Sequence, residues 1–475
     1  MPARNARSVV SASSGMRLLE LLFVGVKLYL YRLVHNSKEN FDQRFAVKLR
    51  SNFESLGPVY TKLGQMLSMR PDYIDDVYCQ EFELLLDSGR QIPREKMRRY
   101  LNRIASPSQF KLVQSLGDPI AVASISQVYK ATLPSGEAVA IKILRPGVTH
   151  MVKRDFKILR LLARFFGNKV GKVGKRHWID LVAELERWLL EETDYLHEAR
   201  NIELMRKDFE GYDNILIPQY YPDLSSKQIL VMEWIDGYSM LDLIRMKRKE
   251  ELPDFDFSLE EKFEEIIRDV AIKSLLRGYF HADAHPANIM ITKEGKIALI
   301  DFGLIQFFSR EVRKGTILFL LGITSNDIEL IFKSAEMLGK ENAQFNRDEV
   351  YEEISRHLYD YLDASAHDVI STKILFSILK VCLEQGFQYP WSLVLYTRTA
   401  VNLDGQILRV HPGFSFSSYG RQYLLEVYLE TLLEEHTSAS HVIKMTEDVI
   451  DLVRDLPKNL KTIIEKMAKE KQTTT

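Results

Sequence analysis

Three things are scarce in this 475-residue chain: cysteine, net charge and long apolar runs. Its two cysteines, Cys79 and Cys382, exclude a disulfide scaffold and a cysteine-rich zinc site, and we interpret both as core thiols in a reducing compartment. Lysine and arginine number 64 against 65 aspartates and glutamates, so no charge excess points to a nucleic-acid partner. No window reaches the roughly 18 uninterrupted apolar residues of a membrane-spanning helix.

The apolar residues that are present, 46% of the chain, suffice for large cores and exclude global disorder. Residues 16–106 repeat apolar side chains at three- and four-residue spacings, which predicts helices. The period then changes, and three short strands are predicted at 110–116, 127–133 and 138–144. Further elements are predicted as helices at 148–167 and 178–208, strands at 214–217 and 228–233, a helix at 257–280, a hairpin at 289–291 and 297–300, and helices beyond 309.

Both ends of the chain carry segments with two interpretations. Residues 18–34 form an amphipathic, basic helix that fits either a membrane surface or packing against the protein. The same choice applies to residues 457–472, where packing is favoured. Residues 1–17 contain arginines and serines without an acid, which fits an organelle transit peptide, although we prefer a frayed tail.

A set of polar residues recurs in the order that protein kinases use. Lys142 ends a strand-like Val-Ala-Ile-Lys, Asn288 lies five residues beyond Asp283, and Asp301-Phe302-Gly303 follows a hairpin. ATP requires a lysine for its α- and β-phosphates and oxygen ligands for Mg²⁺. We therefore expect Lys142 to orient phosphates, Asn288 and Asp301 to bind metal, and Asp283 to orient the nucleophile.

Two departures separate the chain from ordinary protein kinases. No G-x-G-x-x-G precedes Lys142; the sequence there is Ala121-Val-Ala-Ser-Ile-Ser126, whose side chains restrict positive φ angles. Asp-Phe-Gly is followed almost at once by a helical pattern at 309–321, which leaves no long activation segment to dock a protein substrate. Phosphorylation of proteins in trans is therefore disfavoured.

These motifs together resemble the UbiB atypical kinases, a family tied to coenzyme Q (ubiquinone) biosynthesis and isoprenoid-lipid handling. The resemblance spans nearly all of residues 20–470. It is carried by Lys62-Leu-Gly-Gln65 (KxGQ), the alanine-rich loop 121–127, Glu192-Thr-Asp194 (ExD), Glu198-Ala-Arg-Asn201, the catalytic-type loop 281–288, and Arg398 with Leu403-Asp404-Gly405.

The resemblance implies roles that spacing alone does not give. The KxGQ helix would fold over the site and hold Lys62 near Glu192 and Asp194, so that Lys62, Gln65, Glu192 and Asp194 would regulate it. Glu198 would pair with Lys142, and the catalytic group would comprise Asp283, Lys142 and Glu198. Nucleotide contacts would come from the alanine-rich loop, Lys142 and the inter-lobe linker, whose contacting amide the sequence leaves open; the residues assigned are Ala121, Val122, Ala123, Ser124, Ser126, Gln127, Lys142, Glu233 and Ile235.

Some stretches depart from the family pattern. Val122 and Ser126 replace small residues of the loop, Ala284 and Ala287 replace a common proline and glycine, and 87–93 matches the family's LQD-x-x-P-P poorly. The two spanning helices that end many bacterial members are not found. The first three departures leave the predicted metal ligands intact, and the last puts integral membrane attachment in doubt.

The predicted fold class is α+β, a bilobal protein-kinase-like fold with a helical N-terminal extension and a helical C-terminal addition. Predicted domains are the extension at 1–106, an N-lobe at 107–236, a C-lobe at 237–440, and an amphipathic helix and tail at 441–475.

The resemblance implies an atypical kinase or ATPase that binds ATP or ADP with Mg²⁺ and supports ubiquinone or isoprenoid-lipid metabolism. The alternative is a non-catalytic, ATP-gated scaffold or lipid-extraction chaperone. Expected partners are the nucleotide, a small isoprenoid or quinone-precursor lipid and a peripheral membrane surface, with no nucleic acid. The expected location is the cytoplasm, membrane-associated, with the mitochondrial matrix or plastid as alternatives.

Overall fold

The computed structural model describes most of the chain, namely residues 14–35, 41–70, 73–85, 89, 91–114, 116–168, 174–339, 346–363, 371–385 and 387–435. The predicted helix at 457–472, the predicted domain at 441–475 and most of the transit-peptide candidate lie outside these residues, as does much of the 87–93 stretch. The chain divides into two compact units. The first runs to Gly237 and includes Ala298–Leu304, and the second comprises Tyr238–Ile297 and the chain from Ile305 onward. The division after Gly237 lies one residue from the predicted C-lobe start, and the predicted domain boundaries stay predictions.

The described part of the first unit begins with six helices. They are α1 (Ser14–His35), α2 (Phe41–Leu56), α3 (Pro58–Leu67), α4 (Asp76–Glu83), α5 (Arg94–Ile104) and α6 (Pro107–Gln114). Within the described residues this confirms the predicted helical start, but α6 shows that the predicted strand at 110–116 is wrong. Pro107 provides a fixed φ suited to a first helical turn, and this local signal prevails over the short apolar alternation that suggested a strand.

A small antiparallel sheet follows in the first unit, with strand order β1-β2-β3-β5. Its strands are β1 (Ala121–Val122), β2 (Ser126–Thr132), β3 (Ala138–Leu144) and β5 (Ile229–Glu233), and β4 (Ile215–Leu216) precedes the last of them. Between β3 and β4 lie α7 (Val148–Phe166), α8 (Lys175–Glu192) and α9 (Tyr195–Asp208). Asp194 caps α9 by accepting a hydrogen bond from the Leu196 amide, which breaks the single helix predicted at 178–208 into two.

The two faces of this sheet have different surroundings. Tyr129, Ile141 and Val231 share one face and pack with Met97 and Leu101 of α5 in a buried apolar cluster. Because side chains alternate along a strand, Lys142 lies on the other face. The sheet therefore buries one face under α5 and presents the other to the lysine site.

The second unit mixes short strands with many helices. Its helical elements up to residue 277 are α10 (Met240–Lys249), α11 (Leu259–Glu265), a π-helical segment (Ile266–Ile272) and α12 (Ser274–Arg277). Its first strands are β6 (Gly237–Ser239), β7 (Tyr279–His281), β8 (Ile289–Thr292) and β9 (Ile297–Leu299). Gly237 of β6 and the residues of β9 after Ile297 belong to the first unit. Strand β10 (Ile305–Phe307) pairs antiparallel with β7. Six helices complete the described part: α13 (Arg310–Ser325), α14 (Ile328–Leu338), α15 (Arg347–Asp363), α16 (Ser371–Glu384), α17 (Trp391–Ile407) and α18 (Phe416–Glu435). Within the described residues the predicted helical C-terminal region is confirmed.

Candidate active site

Lys142 is the centre of a buried ion-pair network in the first unit. Its ammonium lies 2.5 Å from Glu198 Oε1 and 3.0 Å from Asp301 Oδ2. The lysine is only 6% exposed, in the middle of β3, while Glu198 comes from the first turn of α9. Three residues separated by 56 and 159 positions in sequence are thus brought together, including the pair that the resemblance implies.

The charge state of this network follows from its surroundings. Burial by itself would lower the pKa of Lys142, but the carboxylates of Asp301 and Glu198 outweigh burial and raise it above its ordinary value. Burial also raises the pKa of Glu198, against the opposing effect of Lys142. Lys142 is therefore a fixed cation, held where a second anion could replace part of its carboxylate coordination.

The Asp-Phe-Gly stretch is fastened to α9 by hydrogen bonds. The Phe302 amide donates to Glu198 Oε1 at 3.2 Å, and Asn201 Nδ2 donates to the Phe302 carbonyl at 2.8 Å. The Gly303 amide donates to Asp301 Oδ1 at 3.0 Å, while the Asp301 side chain remains 38% exposed. Sequence reasoning gave Asn201 no role of its own, although its place in Glu198-Ala-Arg-Asn201 was a signal.

The alanine-rich loop connects β1 and β2 tightly. The Ala123 amide donates to the Ser126 carbonyl at 3.1 Å, and Arg145 Nε donates to the Ala123 carbonyl at 2.9 Å. The Ser124 hydroxyl is buried and has no hydrogen-bond partner among the residues that the structure describes. Ala121 and Val122 form β1, so the predicted loop residues surround one turn beside the lysine strand.

Strand register separates two of the predicted nucleotide contacts. Ser126 pairs with Leu144 and therefore shares the Lys142 face, whereas Gln127 pairs with Ile143 on the opposite face. Gln127 is fully buried, and within the described part of the chain neither the oxygen nor the nitrogen of its side-chain amide has a hydrogen-bond partner. The structure thus does not bring the Gln127 side chain to Lys142, because its position in β2 has the parity of the apolar core.

The linker after β5 has one amide that stands out. The Glu233 amide donates to the Gln219 carbonyl at 2.7 Å, and the Trp234 amide donates to the Ala138 carbonyl at 3.1 Å. The Glu233 carboxylate accepts from the Gln219 amide, so it is directed along the chain rather than toward Lys142. Among the described residues, nothing engages the Ile235 amide. It is the linker donor best suited to a base.

The four residues of the implied regulatory group lie on α3, at the end of α8 and at the start of α9, all in the first unit. Lys62 Nζ on α3 lies 3.4 Å from Glu192 Oε1 at the end of α8. Gln65 donates to the Leu85 carbonyl at 3.0 Å. Asp194 caps α9 and lies 3.5 Å from Lys227. The Lys62–Glu192 contact agrees with the resemblance, and the regulatory role stays a prediction.

In the second unit, Asp283 and Asn288 share one hydrogen-bonded loop. Asn288 Nδ2 donates to the Asp283 carbonyl at 3.1 Å, and the Asn288 amide donates to the His285 carbonyl at 2.7 Å. His281 Nδ1 accepts a hydrogen bond from the Asp283 amide at 3.2 Å. His281 therefore stabilises the conformation of this loop. Asn288 thus has its amide nitrogen engaged within the loop and its side-chain oxygen left as a candidate ligand.

Among the residues that the structure describes, no group of three or more His, Cys, Asp or Glu side chains is arranged to hold a metal ion. No described helix has the length and apolar character needed to cross a bilayer. The Asp-plus-Asn pair predicted for Mg²⁺ is a sparser donor set than such a cluster, as expected for a metal that retains water and phosphate ligands.

Comparison with known proteins places this architecture. A sequence profile described as the ABC1 atypical kinase-like domain matches residues 85–335. A chloroplastic aarF domain-containing protein kinase of Arabidopsis thaliana is 29% identical over 81% of this chain and 54% of its own length. The protein ACTIVITY OF BC1 COMPLEX KINASE 1, chloroplastic, of the same plant is 36% identical over 56% of this chain and 38% of its own length.

A solved structure, the complex of Rv3197 with erythromycin from Mycobacterium tuberculosis, is 19% identical with a TM-score of 0.48 and covers 83% of this chain and 94% of that one. The chain spans 54–65% of the length of several curated relatives. The profile match, with the mixed sheet and helix content, confirms the predicted kinase-like α+β class with helical extensions. The chain belongs to the ABC1 atypical kinase-like family, the UbiB family.

Proposed function

We propose that the chain binds ATP with Mg²⁺ and either hydrolyses it or transfers its γ-phosphoryl group to a small molecule. The observation that carries this proposal is the contact of Lys142 with both Glu198 and Asp301. A helix glutamate that holds a strand lysine beside the Asp-Phe-Gly aspartate is the arrangement that kinases use to grip phosphates. The free Ile235 amide supports adenine binding at the linker.

The donor set suits the proposed metal. Asp301 supplies a partly exposed carboxylate, in which Oδ2 contacts Lys142 and Oδ1 accepts a hydrogen bond from the Gly303 amide. Asn288 supplies a side-chain amide oxygen. Both are hard oxygen ligands of the kind that Mg²⁺ prefers. When bound, Mg²⁺ would neutralise phosphate charge. Lys142 would orient the α- and β-phosphates, and Asp283 would accept the proton of the attacking hydroxyl or water.

Replacing the metal ligand tests this function. We expect Asp301→Asn to abolish Mg²⁺-dependent release of labelled phosphate from [γ-³²P]ATP, while the exposed Asp213→Asn in the same unit retains it. Circular dichroism and thermal melts of both variants check the fold. Turnover in Asp301→Asn equal to wild type would refute the assignment.

The scaffold alternative differs in what the nucleotide accomplishes. In a scaffold of this kind the bound nucleotide shifts a conformational equilibrium, and phosphate release in the steady state is slow or absent. Single-turnover and steady-state phosphate release, each with and without liposomes, separate the two. We favour turnover because Lys142, Glu198 and Asp301 are all present and Lys142 contacts both carboxylates.

The biological setting is proposed as ubiquinone or isoprenoid-lipid metabolism, in line with family membership. Chloroplast labels in the names of several relatives favour the plastid among the alternative locations. Phosphoryl transfer across quinone-precursor-like phenols and isoprenoid alcohols is the measurement that identifies the acceptor. Transfer of the γ-phosphoryl group to another protein would instead support a protein-kinase function.

Peripheral membrane binding is proposed to involve α1. One face of this helix packs on the protein through buried Arg17 and Leu21, and the other exposes a continuous apolar stripe. Exposed on it are Met16, Leu19, Leu22, Phe23, Val26, Tyr29, Leu30, Leu33 and Val34. Exposed Lys27 and Arg32 supply positive charge on the same helix, which suits anionic headgroups.

Vesicle flotation tests this surface. The wild-type chain should bind vesicles of 70% phosphatidylcholine and 30% phosphatidylglycerol, chosen at roughly the anionic content that attracts basic helices. The double variant Leu19→Glu with Phe23→Glu should reduce binding about tenfold, because Leu19 and Phe23 are the large apolar side chains that we propose are buried in lipid. Val47→Glu, at an exposed position on α2, is the matched control. Equal flotation of both variants would exclude α1 as the contact.

A further inference from the structure

One helix of the second unit carries an arginine that the proposed function has not used. Helix α17 is buried at positions 392–397, 399 and 400, and Arg398 is the single partly exposed position in that run. Arginine in a helix surrounded by protein normally pairs with a carboxylate. Within the described residues, Arg398 forms no hydrogen bond and no ion pair.

Contacts of its neighbours fix where this cation lies. Thr399 Oγ1 donates to the carbonyl of Ala282, the residue that precedes Asp283, at 3.3 Å. One turn earlier, Tyr396 donates to the Ala271 carbonyl at 3.3 Å and packs edge-on against Phe280 of β7. Helix α17 is thus attached on one side of Arg398 to the catalytic-type loop, and on the other side to the π-helical segment and to β7, the strand that leads into this loop.

The loop itself presents its polar groups to solvent. Asp283 and His285 are exposed, whereas Ala282, Ala284 and Pro286 are buried. Arg398 is close enough for its charge to lower the pKa of His285, against the raising effect of Asp283. A carboxylate, an imidazole and an unpaired guanidinium therefore share one accessible region of the second unit.

We infer that Arg398 binds an anionic group, a carboxylate or phosphate, on the acceptor whose hydroxyl is oriented by Asp283. This inference rests on the proposed function. A guanidinium presents parallel N–H donors that match both oxyanions. The acceptor class is therefore a hydroxyl compound that carries its own negative charge, rather than a neutral alcohol.

The transfer step balances without a further reactant. The acceptor hydroxyl oxygen forms a bond to the γ-phosphorus, the bond from that phosphorus to the β,γ-bridging oxygen breaks, and ADP leaves. The hydroxyl proton passes to the Asp283 carboxylate and then to water. Arg398 contributes by holding the acceptor's anion through this step, so it is an acceptor-binding residue.

Two matched probe pairs test the acceptor class. Phosphoryl transfer from [γ-³²P]ATP is measured with glycerol 3-phosphate against glycerol, and with 4-hydroxybenzoate against 4-hydroxybenzyl alcohol. We expect the charged member of at least one pair to react at a lower KM, and Arg398→Gln to raise that KM roughly 10- to 100-fold, as for a lost charged hydrogen bond. Arg398→Lys should restore part of the affinity, and Arg409→Gln, at an exposed position just beyond the end of this helix, should match wild type. Equal KM values within both pairs, or an unchanged preference in Arg398→Gln, would overturn the inference.

A second titration distinguishes the acceptor's anion from the terminal phosphate of ATP. Sulfate is titrated calorimetrically into the full chain, with and without saturating adenylyl imidodiphosphate and Mg²⁺. We expect sulfate to bind in both states and Arg398→Gln to weaken it about tenfold or more. Loss confined to the analogue's affinity would mean that Arg398 contacts the γ-phosphate, which would refute the proposal. Failure of the wild type to bind the analogue at all would count against the proposed function, while the sulfate comparison would still decide the role of Arg398.

Discussion

At the scale of single residues, the site is defined by the way one buried lysine is neutralised. Lys142 has two carboxylate partners, and these partners belong to a helix and to the Asp-Phe-Gly stretch. Burying a lone ammonium is costly, so its position requires both acids. An incoming phosphate group could take over part of this neutralisation, so we expect the two carboxylates that stabilise buried Lys142 also to position it for the proposed nucleotide.

The Glu198 carboxylate should be tested by a nearly isosteric change. Glu198→Gln keeps the volume but removes the charge that orients Lys142 and weakens acceptance from the Phe302 amide. We expect phosphate release to fall about 10- to 100-fold, the scale of a lost preorganised electrostatic contact. Steady-state turnover is the measurement, and Glu203→Gln on the exposed side of α9 is the control. Turnover within twofold of wild type would show that Glu198 does not aim the lysine.

The pKa of His285 gives a pH-dependent prediction at the same scale. Although the side chain is accessible, partial desolvation of the imidazole lowers this pKa, Asp283 opposes the effect and Arg398 adds to it. Since the folded pKa lies below the unfolded value of about 6.5, the unfolded chain takes up the proton first as pH falls, and the stability from this group is lost below that pH. Arg398→Gln should raise the pKa of His285, which NMR titration of its ring protons can measure. An unmoved titration in Arg398→Gln, with Arg409→Gln as reference, would place the guanidinium too far away to matter.

At the scale of elements, local sequence patterns predicted individual strands and turns, in addition to the order in which the motifs occur. The hairpin of β2 and β3 follows from alternation, and the turn before β9 follows from Gly295. The start of α9 was not predicted, because its Asp194 cap lies inside a continuous helical pattern at 178–208. The failure at 110–116 arose because seven residues with alternating apolar side chains fit a strand and a short helix alike. Gln127 shows a second limit, since which face of β2 becomes the core depends on α5, far away in sequence.

Helix α1 is attached to the first unit by a buried ion pair. Arg17, fully buried, lies 2.8 Å from Asp155 of α7, which also contacts Arg154 at 3.0 Å. Arg17→Met leaves Asp155 without its main partner, and we expect a loss of about 3–5 kcal/mol in the free energy of docking this helix. Hydrogen exchange of α1 amides is the measurement. The double variant Arg17→Met with Asp155→Leu should recover most of the protection, and exchange in Arg17→Met equal to wild type would contradict the attachment.

At the scale of the whole molecule, the predicted ligands of one nucleotide are distributed over two compact units. Lys142, Glu198 and Asp301 belong to the first, and Asp283 and Asn288 to the second. Sequence could order these residues but could not show that residues 298–304 belong with the first unit, because that depends on Phe302 bonding to Glu198 and Asn201. The chain therefore offers a direct test of whether one ligand engages both units.

Calorimetric unfolding provides that test. A ligand that binds only the native state at 100 times its dissociation constant adds about 2.7 kcal/mol of stability. Because the proposed site uses residues of both units, ATP with Mg²⁺ should raise the midpoint of every unfolding transition that the chain shows. EDTA should reduce the shift, and Asp301→Asn should lose its Mg²⁺-dependent part while Asp213→Asn keeps it. A shift confined to one of two transitions would mean that the nucleotide is held by a single unit, and Asp283 or Lys142 would then have to be removed from the site.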